Sequence, residues 1–282
     1  MRRAEWWGLL KETAAEGSAD QITRLGASLA YYTVFSLAPL ALIAVSLVGV
    51  VFGDKAAQGA VFSDLSHFMG AAQARAVQHL ILSARRSPSG SWAGATGVVL
   101  LLFGASSVVG ELQSALNRIF DVPAERFGWA ATLKQRLISL GFVLGVGFLL
   151  VVSMAVSTAI SAAGRVLGAL AGFSVVLLYA ANLSATLAII SLLFALMFRY
   201  LPLTRIAWRD AWKGGATTAF LFIAGNLALS LYLGKAGPVS VYGAAGSLLA
   251  VLLWSYYCAQ IFYLGAEFTH VYARRHARAR AR

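Results

Sequence analysis

Two acidic side chains, Glu111 and Glu267, stand in or at the edge of long apolar runs of the sequence. A carboxylate at bilayer depth costs several kcal/mol, so such a group turns to the interior of a helix bundle and has work to do there. Polar residues recur around both at helical spacing. Ser107, Glu111, Ser114 and Arg118 are four, three and four apart, and so are Tyr256, Gln260, Tyr263 and Glu267. Ser28, Tyr32, Ser36 and Pro39 follow at four, four and three. Each set falls on one helix face. Pro39 donates no N–H, so the carbonyl of Phe35 loses its helical partner and the helix is expected to kink. Freed backbone groups survive in a bilayer only against protein or water. With the deep residues Asn182 and Asn226, these side chains predict an interhelical polar groove open to the inner leaflet, able to take a polar solute, an ion or a lipid headgroup. A structural alternative stays open. Glu111 would pair with Arg118 or Arg136, and Glu267 would close the inner helix end near His270 and Arg274.

Catalysis has less to draw on. Hydrolysis of RNA needs metal ligands or a histidine pair. His67 and His79 fall in one loop and His270 and His276 near the C-terminal end. Asp64 and His67 share a helix face, and no third ligand is evident. Cys258 is the single cysteine, too few for a disulfide or a zinc site. The reading is a non-enzyme with no catalytic residues, no metal and no cofactor.

The elements that must position these groups are membrane spans. The chain has 282 residues, of which 59% are hydrophobic, and a mean hydropathy of +0.74. Soluble domains are about 45–50% apolar. Six stretches reach the roughly 20 residues a spanning helix needs, at about 25–52, 92–117, 137–162, 172–198, 214–233 and 241–266. The first follows a segment with acids in it and has no close small-residue cleavage site, so it is expected to stay. With the N-terminus inside, 17 of the 23 Lys and Arg face the cytoplasm and six face out. That asymmetry explains the net charge of +12 without a nucleic-acid partner. The expected architecture is all-α: a polytopic integral membrane protein, a bundle of six transmembrane helices, with both termini cytoplasmic. Its divisions are a cytoplasmic segment 1–24, a membrane domain 25–272 and a basic tail 273–282 whose arginines reach anionic headgroups.

Residues 1–24 predict an amphipathic helix on the inner surface, with Trp6, Trp7, Leu9 and Leu10 beside Lys11, Glu12 and Glu16. Asp20 and Arg24 are four apart and could pair. Residues 53–91 predict two short amphipathic helices at the outer surface, joined near Gly70. Two cytoplasmic segments, PAERFGWAATLK (123–134) and PLTRIAWRDAWK (202–213), share P-x-x-R-x-x-W-x-x-x-x-K. In each, Pro would open a short helix, Trp would sit at the interface, and Arg and Lys would meet lipid phosphates. The candidate phosphate contacts are Arg126, Lys134, Arg205 and Lys213.

LGASLAYYTVFSLAPL (25–40) and VYGAAGSLLAVLLWSYYCAQIFYLGAEFTHVYARR (241–275) resemble the first and last spans of the YihY/BrkB family of bacterial inner-membrane proteins. ELQSALNRIFDVP (111–123) and the P-x-x-x-x-x-WRDA segment (202–211) resemble it too. The resemblance implies a six-helix membrane bundle in the plasma membrane. Members have been labelled ribonuclease BN, virulence factor or envelope lipid exporter. Together with the polar stripes, it favours a transporter-like protein that moves or handles lipids or a polar solute. A non-enzymatic scaffold that holds envelope protein partners is the alternative.

Overall fold

The computed structural model describes residues 3–34, 107–123, 175–236 and 244–280, with isolated positions between 36 and 78. Six helices lie in these segments. They are α1 (Arg3–Ala19), α2 (22–34), α3 (107–119), α4 (Val175–Tyr200), α5 (Trp208–Ala236) and α6 (Ala244–Arg280). The isolated positions in the 53–91 loop are helical. The third span, Pro39 with its kink, and the 124–134 segment with Arg126 and Lys134 lie outside the described residues.

α1 and α2 are separated by one turn. Gln21 adopts a left-handed backbone (φ 56°), its N–H donates to Ser18 O at 3.2 Å, and its carbonyl starts α2 by accepting from Arg24 N at 2.8 Å. The chain thus changes direction without losing its helical hydrogen bonds. α3 ends in a Schellman motif. Asp121 takes φ 50°, and Val122 N donates back to Asn117 O at 2.9 Å. Val122 packs on the core as the motif's hydrophobic contact, and Pro123 stops the helix.

α4 packs on α5, and α5 on α6. Side chains of α2, α3 and α4 close the core around them: Leu29, Leu116, Ile119, Phe194 and Phe198 meet Phe262 and Tyr263 of α6. The Phe198 and Phe262 rings are 5.3 Å apart. Two glycine–threonine pairs join α5 and α6. A Cβ at Gly214 would overlap the Thr269 side chain, and a Cβ at Gly265 would overlap that of Thr218. Each threonine satisfies its own hydroxyl one turn back, Thr218 on Gly214 O at 2.7 Å and Thr269 on Gly265 O at 2.6 Å. Gly215 brings α5 equally close to α4, where a Cβ would sit 2.5 Å from Ser191 O. Small residues that let backbones approach are how helices associate where water cannot drive them together.

Leu183–Tyr200 and Leu249–Arg278 are each long and apolar enough to cross a membrane. Outward faces of α5 and α6 carry Phe220 (66% exposed), Leu227 (64%), Leu249, Leu252 and Leu253. A soluble monomer seldom exposes so much apolar surface on adjacent helices. α6 runs unbroken for 37 residues, about 55 Å at 1.5 Å per residue. Residues 273–280 of the expected basic tail continue this helix.

The segment 202–213 differs from expectation. Pro202 does not open a short helix. Residues 201–207 form a loop, and α5 starts at Trp208 and continues through Lys213. α3 holds that loop: Gln113 Nε2 donates to Leu201 O at 2.7 Å, and Asn117 Oδ1 accepts from Leu203 N at 2.7 Å. Arg199 reaches over the loop to Ile206 O and lies 4.9 Å from the centre of the Trp208 ring. With backbone groups of the loop tied to side chains, a helix there has no advantage.

Candidate functional site

α1 docks on the extension of α6. Leu9 is buried with Phe268, Val271 and Tyr272, and Trp6 stacks on Phe268 with ring centres 6.4 Å apart. Trp7 and Leu10 stay exposed on the other side. Arg274 bridges Glu12 (2.7 Å) and Glu16, and Arg275 Nε donates to Glu12 at 2.7 Å. Burial tends to raise the Glu12 carboxyl, but the hydrogen bonds from Arg274 and Arg275 outweigh it and hold it below the usual carboxylate range. These two arginines were expected to reach lipid; they are spent on α1 instead.

Above this dock, the α1–α2 turn, α2 and α3 enclose a polar cavity of about 180 Å³ lined by Asp20, Gln21, Arg24, Leu25, Ser28, Glu111 and Arg118. Four of its seven lining residues are charged, two of each sign. Arg118 Nε stands 3.4 Å from Asp20 Oδ1, and Arg24 Nη1 donates to Gln21 Oε1 at 3.4 Å. Both contacts are long and partly exposed, so these groups can turn to a ligand at little cost. The pairings expected from sequence are corrected here. Asp20 serves Arg118 and not Arg24, because it lies in the turn rather than on α2. Arg118 therefore answers Asp20, not Glu111.

The candidate residues separate into several settings. Ser28 and Glu111 line the cavity. Ser107 is half-buried on the same face of α3. Gln260 Nε2 reaches the start of α2, 3.3 Å from Ile22 O, and a Cβ at Gly26 would overlap it. Tyr263 and Glu267 are fully buried, and neither the Tyr263 hydroxyl nor either Glu267 oxygen has a hydrogen-bond partner. Glu267 lies against Gly17 of α1 rather than closing the helix end beside Arg274, which is committed to α1. Tyr256 belongs to a different feature, an apolar groove of about 380 Å³ lined with Ala27, Ala30, Leu249, Leu252 and Leu253. Tyr32 is exposed, and Ser36 is buried with its hydroxyl on Thr33 O at 3.1 Å. Asn226 Oδ1 accepts from Trp254 Nε1 at 3.3 Å. Asn182 is part of α4, and its side chain lies outside the described residues. Lys213 donates to the Tyr272 hydroxyl at 2.5 Å, while Arg205 is exposed. His270 faces Asp121 at 3.5 Å and His276 faces Asp210 at 3.4 Å, in two separate pairs.

Gln113 and Asn117 were missed by the sequence reading. They are buried four apart on α3, on a different face from the Glu111 stripe, and their amide chemistry at i, i+4 was the available signal.

A family model described as virulence factor BrkB matches residues 13–282. The chain belongs to the virulence factor BrkB family. Relatives of this BrkB chain carry the name UPF0761 membrane protein. The one from Verminephrobacter eiseniae is 29% identical over 93% of this chain and 62% of its own length. That from Paraburkholderia xenovorans is 26% identical over 92% and 58%, and that from Methylibium petroleiphilum 26% identical over 93% and 61%. The chain thus spans about three fifths of the length of these relatives. No solved structure matches it. The fold expected from the first and last spans is accordingly that of a BrkB-family membrane protein, with helices and no strand among the described residues.

Proposed function

We propose that this BrkB-family protein is a six-span protein of the bacterial inner membrane, with both termini in the cytoplasm, that handles glycerophospholipid headgroups rather than catalysing a reaction. The charge asymmetry along the sequence supports the orientation. The observation that carries the functional reading is the mixed-charge cavity between the α1–α2 turn and α3. It lies in a molecule whose neighbouring helices present apolar faces. A headgroup with a phosphate and an ammonium is dipolar. Arg24 and Arg118 suit the phosphate bidentately, and Glu111 and Asp20 suit the ammonium. The loose contacts among these four groups leave them free to exchange partners.

Native mass spectrometry of the detergent-solubilised full chain tests this reading. With phosphatidylethanolamine and a neutral diacylglycerol offered together, the phospholipid should be retained in preference. Glu111→Gln and Arg118→Ala should each remove that preference. Equal retention of both lipids by the unaltered protein contradicts the headgroup reading.

A further inference from the structure

The buried carboxyl of Glu267 takes no part in the cavity's lining and has its own anomaly. The residue is 0% exposed, and neither oxygen meets a donor. Among the described residues, the charged groups that act on it most strongly are acids: Asp20 and Glu16 from α1 and its turn, and Asp121 from the end of α3. The cations one turn along α6 are engaged elsewhere, Arg274 with Glu12 and Glu16, and His270 with Asp121. Gly17 of α1 lies against the Glu267 stem, and Asp20, three residues on and still bonded to Glu16 O, falls on the same helix face, so its carboxyl is the one that can share a hydrogen bond with Glu267. Two carboxyl groups can make that bond only when one of them carries a proton. Asp20 is also the acid that faces Arg118 across the cavity.

We propose that Glu267 and Asp20 form a proton-binding site, and that the shared proton seats the α1–α2 turn on α6 and so keeps the Asp20 wall of the cavity in place. With the proton bound, Asp20 bridges from Glu267 to Arg118. When the proton leaves, two carboxylates face each other in a buried setting with Glu16 and Asp121 adding like charge. The turn then lifts away from α6, carrying Asp20 and Gln21 with it, and the cavity opens. Gly17 permits the seating, since its missing side chain leaves room for the Glu267 stem, 3.8 Å from where a Cβ would be. No other co-reactant is needed: the proton passes to water and returns from it.

Infrared spectroscopy of the full chain in lipid nanodiscs tests the site whether or not the protein moves lipid. At neutral pH the unaltered protein should show a protonated-carboxyl C=O stretch that shifts in deuterium oxide. Glu267→Gln should abolish it and Glu111→Gln should retain it. A spin-label pair on the exposed Ser18 and Ala277 should report a longer turn-to-helix distance as the pH rises, and Glu267→Gln should hold the short distance throughout. If Glu267→Gln does not fold, Asp20→Asn leaves a single carboxyl facing an amide, so the turn-to-helix distance should no longer respond to pH. A carboxyl band unchanged by Glu267→Gln, or a distance that responds to pH equally with and without the Glu267–Asp20 pair, overturns the proposal.

Discussion

The seam between α5 and α6 and the corner where α1, α2 and α3 meet α6 are built on opposite principles. In the seam, Gly214 and Gly265 admit Thr269 and Thr218, each hydroxyl is closed on its own helix, and aromatic rings fill the space behind. The hydroxyls of both pairs are thereby closed to a ligand. At the corner, four charged side chains line a cavity through long contacts, the buried Tyr263 hydroxyl has no hydrogen-bond partner, and the buried Glu267 meets no donor. Both regions share α6, which lends one face to each. The difference separates polar groups that lock helices together from those that face a cavity. A polar stripe on a membrane helix does not by itself mark a passage, because some polar residues only lock helices together. What marks the corner is polar groups whose requirements the protein leaves unmet.

Breaking the seam should cost most. Gly265→Leu drives a side chain into Thr218, and overpacking of this kind costs about 3 kcal/mol; a lower thermal unfolding temperature in detergent checks it. Asn117→Ala comes next. It removes the side-chain acceptor of the Leu203 N–H and loosens the 201–207 loop, for a loss of about 1 kcal/mol, visible as faster amide exchange at 203–207. Removing the dock's central acid with Glu12→Ala should cost about 1 kcal/mol, because these ion pairs are partly exposed. Its signature is selective: protease cleavage at Lys11 accelerates while the spans stay protected. The same dock weakens in acid. A carboxyl held below its ordinary value stabilises the folded form above that ordinary value, near about 4.3, and the contribution is lost as the pH falls through the lower folded value. α1 should therefore be released in acid, followed by fluorescence of Trp6 leaving Phe268. The smallest stability effect belongs to Glu111→Gln, within about 0.5 kcal/mol, although its effect on lipid movement should be the largest of all.

Helices α4, α5 and α6 were readable because apolar runs of spanning length leave few alternatives, and two family stretches bracket the chain. The polar stripe of α6 was readable too, since helical period alone puts Gln260, Tyr263 and Glu267 on one face. Which groups it meets was not. Glu12 and Arg274 are 262 residues apart, and partners chosen by closeness in sequence sent Asp20 to Arg24 and Glu267 to Arg274. The Gly–Thr pairs escaped notice because G-x-x-x-T draws its meaning from a second helix. The groove expected as one path is divided by α2. Ser28 faces the polar cavity, while Ala27 and Ala30, on another side of the same helix, face the apolar groove with Tyr256. A stripe gives the face of one helix and says nothing of how its neighbour is rotated.

The central claim, that the charged corner is a path for lipid headgroups, meets its most direct test in liposomes. The purified protein would be reconstituted with fluorescent phospholipid and dithionite added outside. The account predicts quenching well beyond the half contributed by the outer leaflet, lost with Glu111→Gln and kept with the seam substitution Thr218→Ser. Quenching no greater than in empty liposomes, or unchanged by Glu111→Gln, would contradict it.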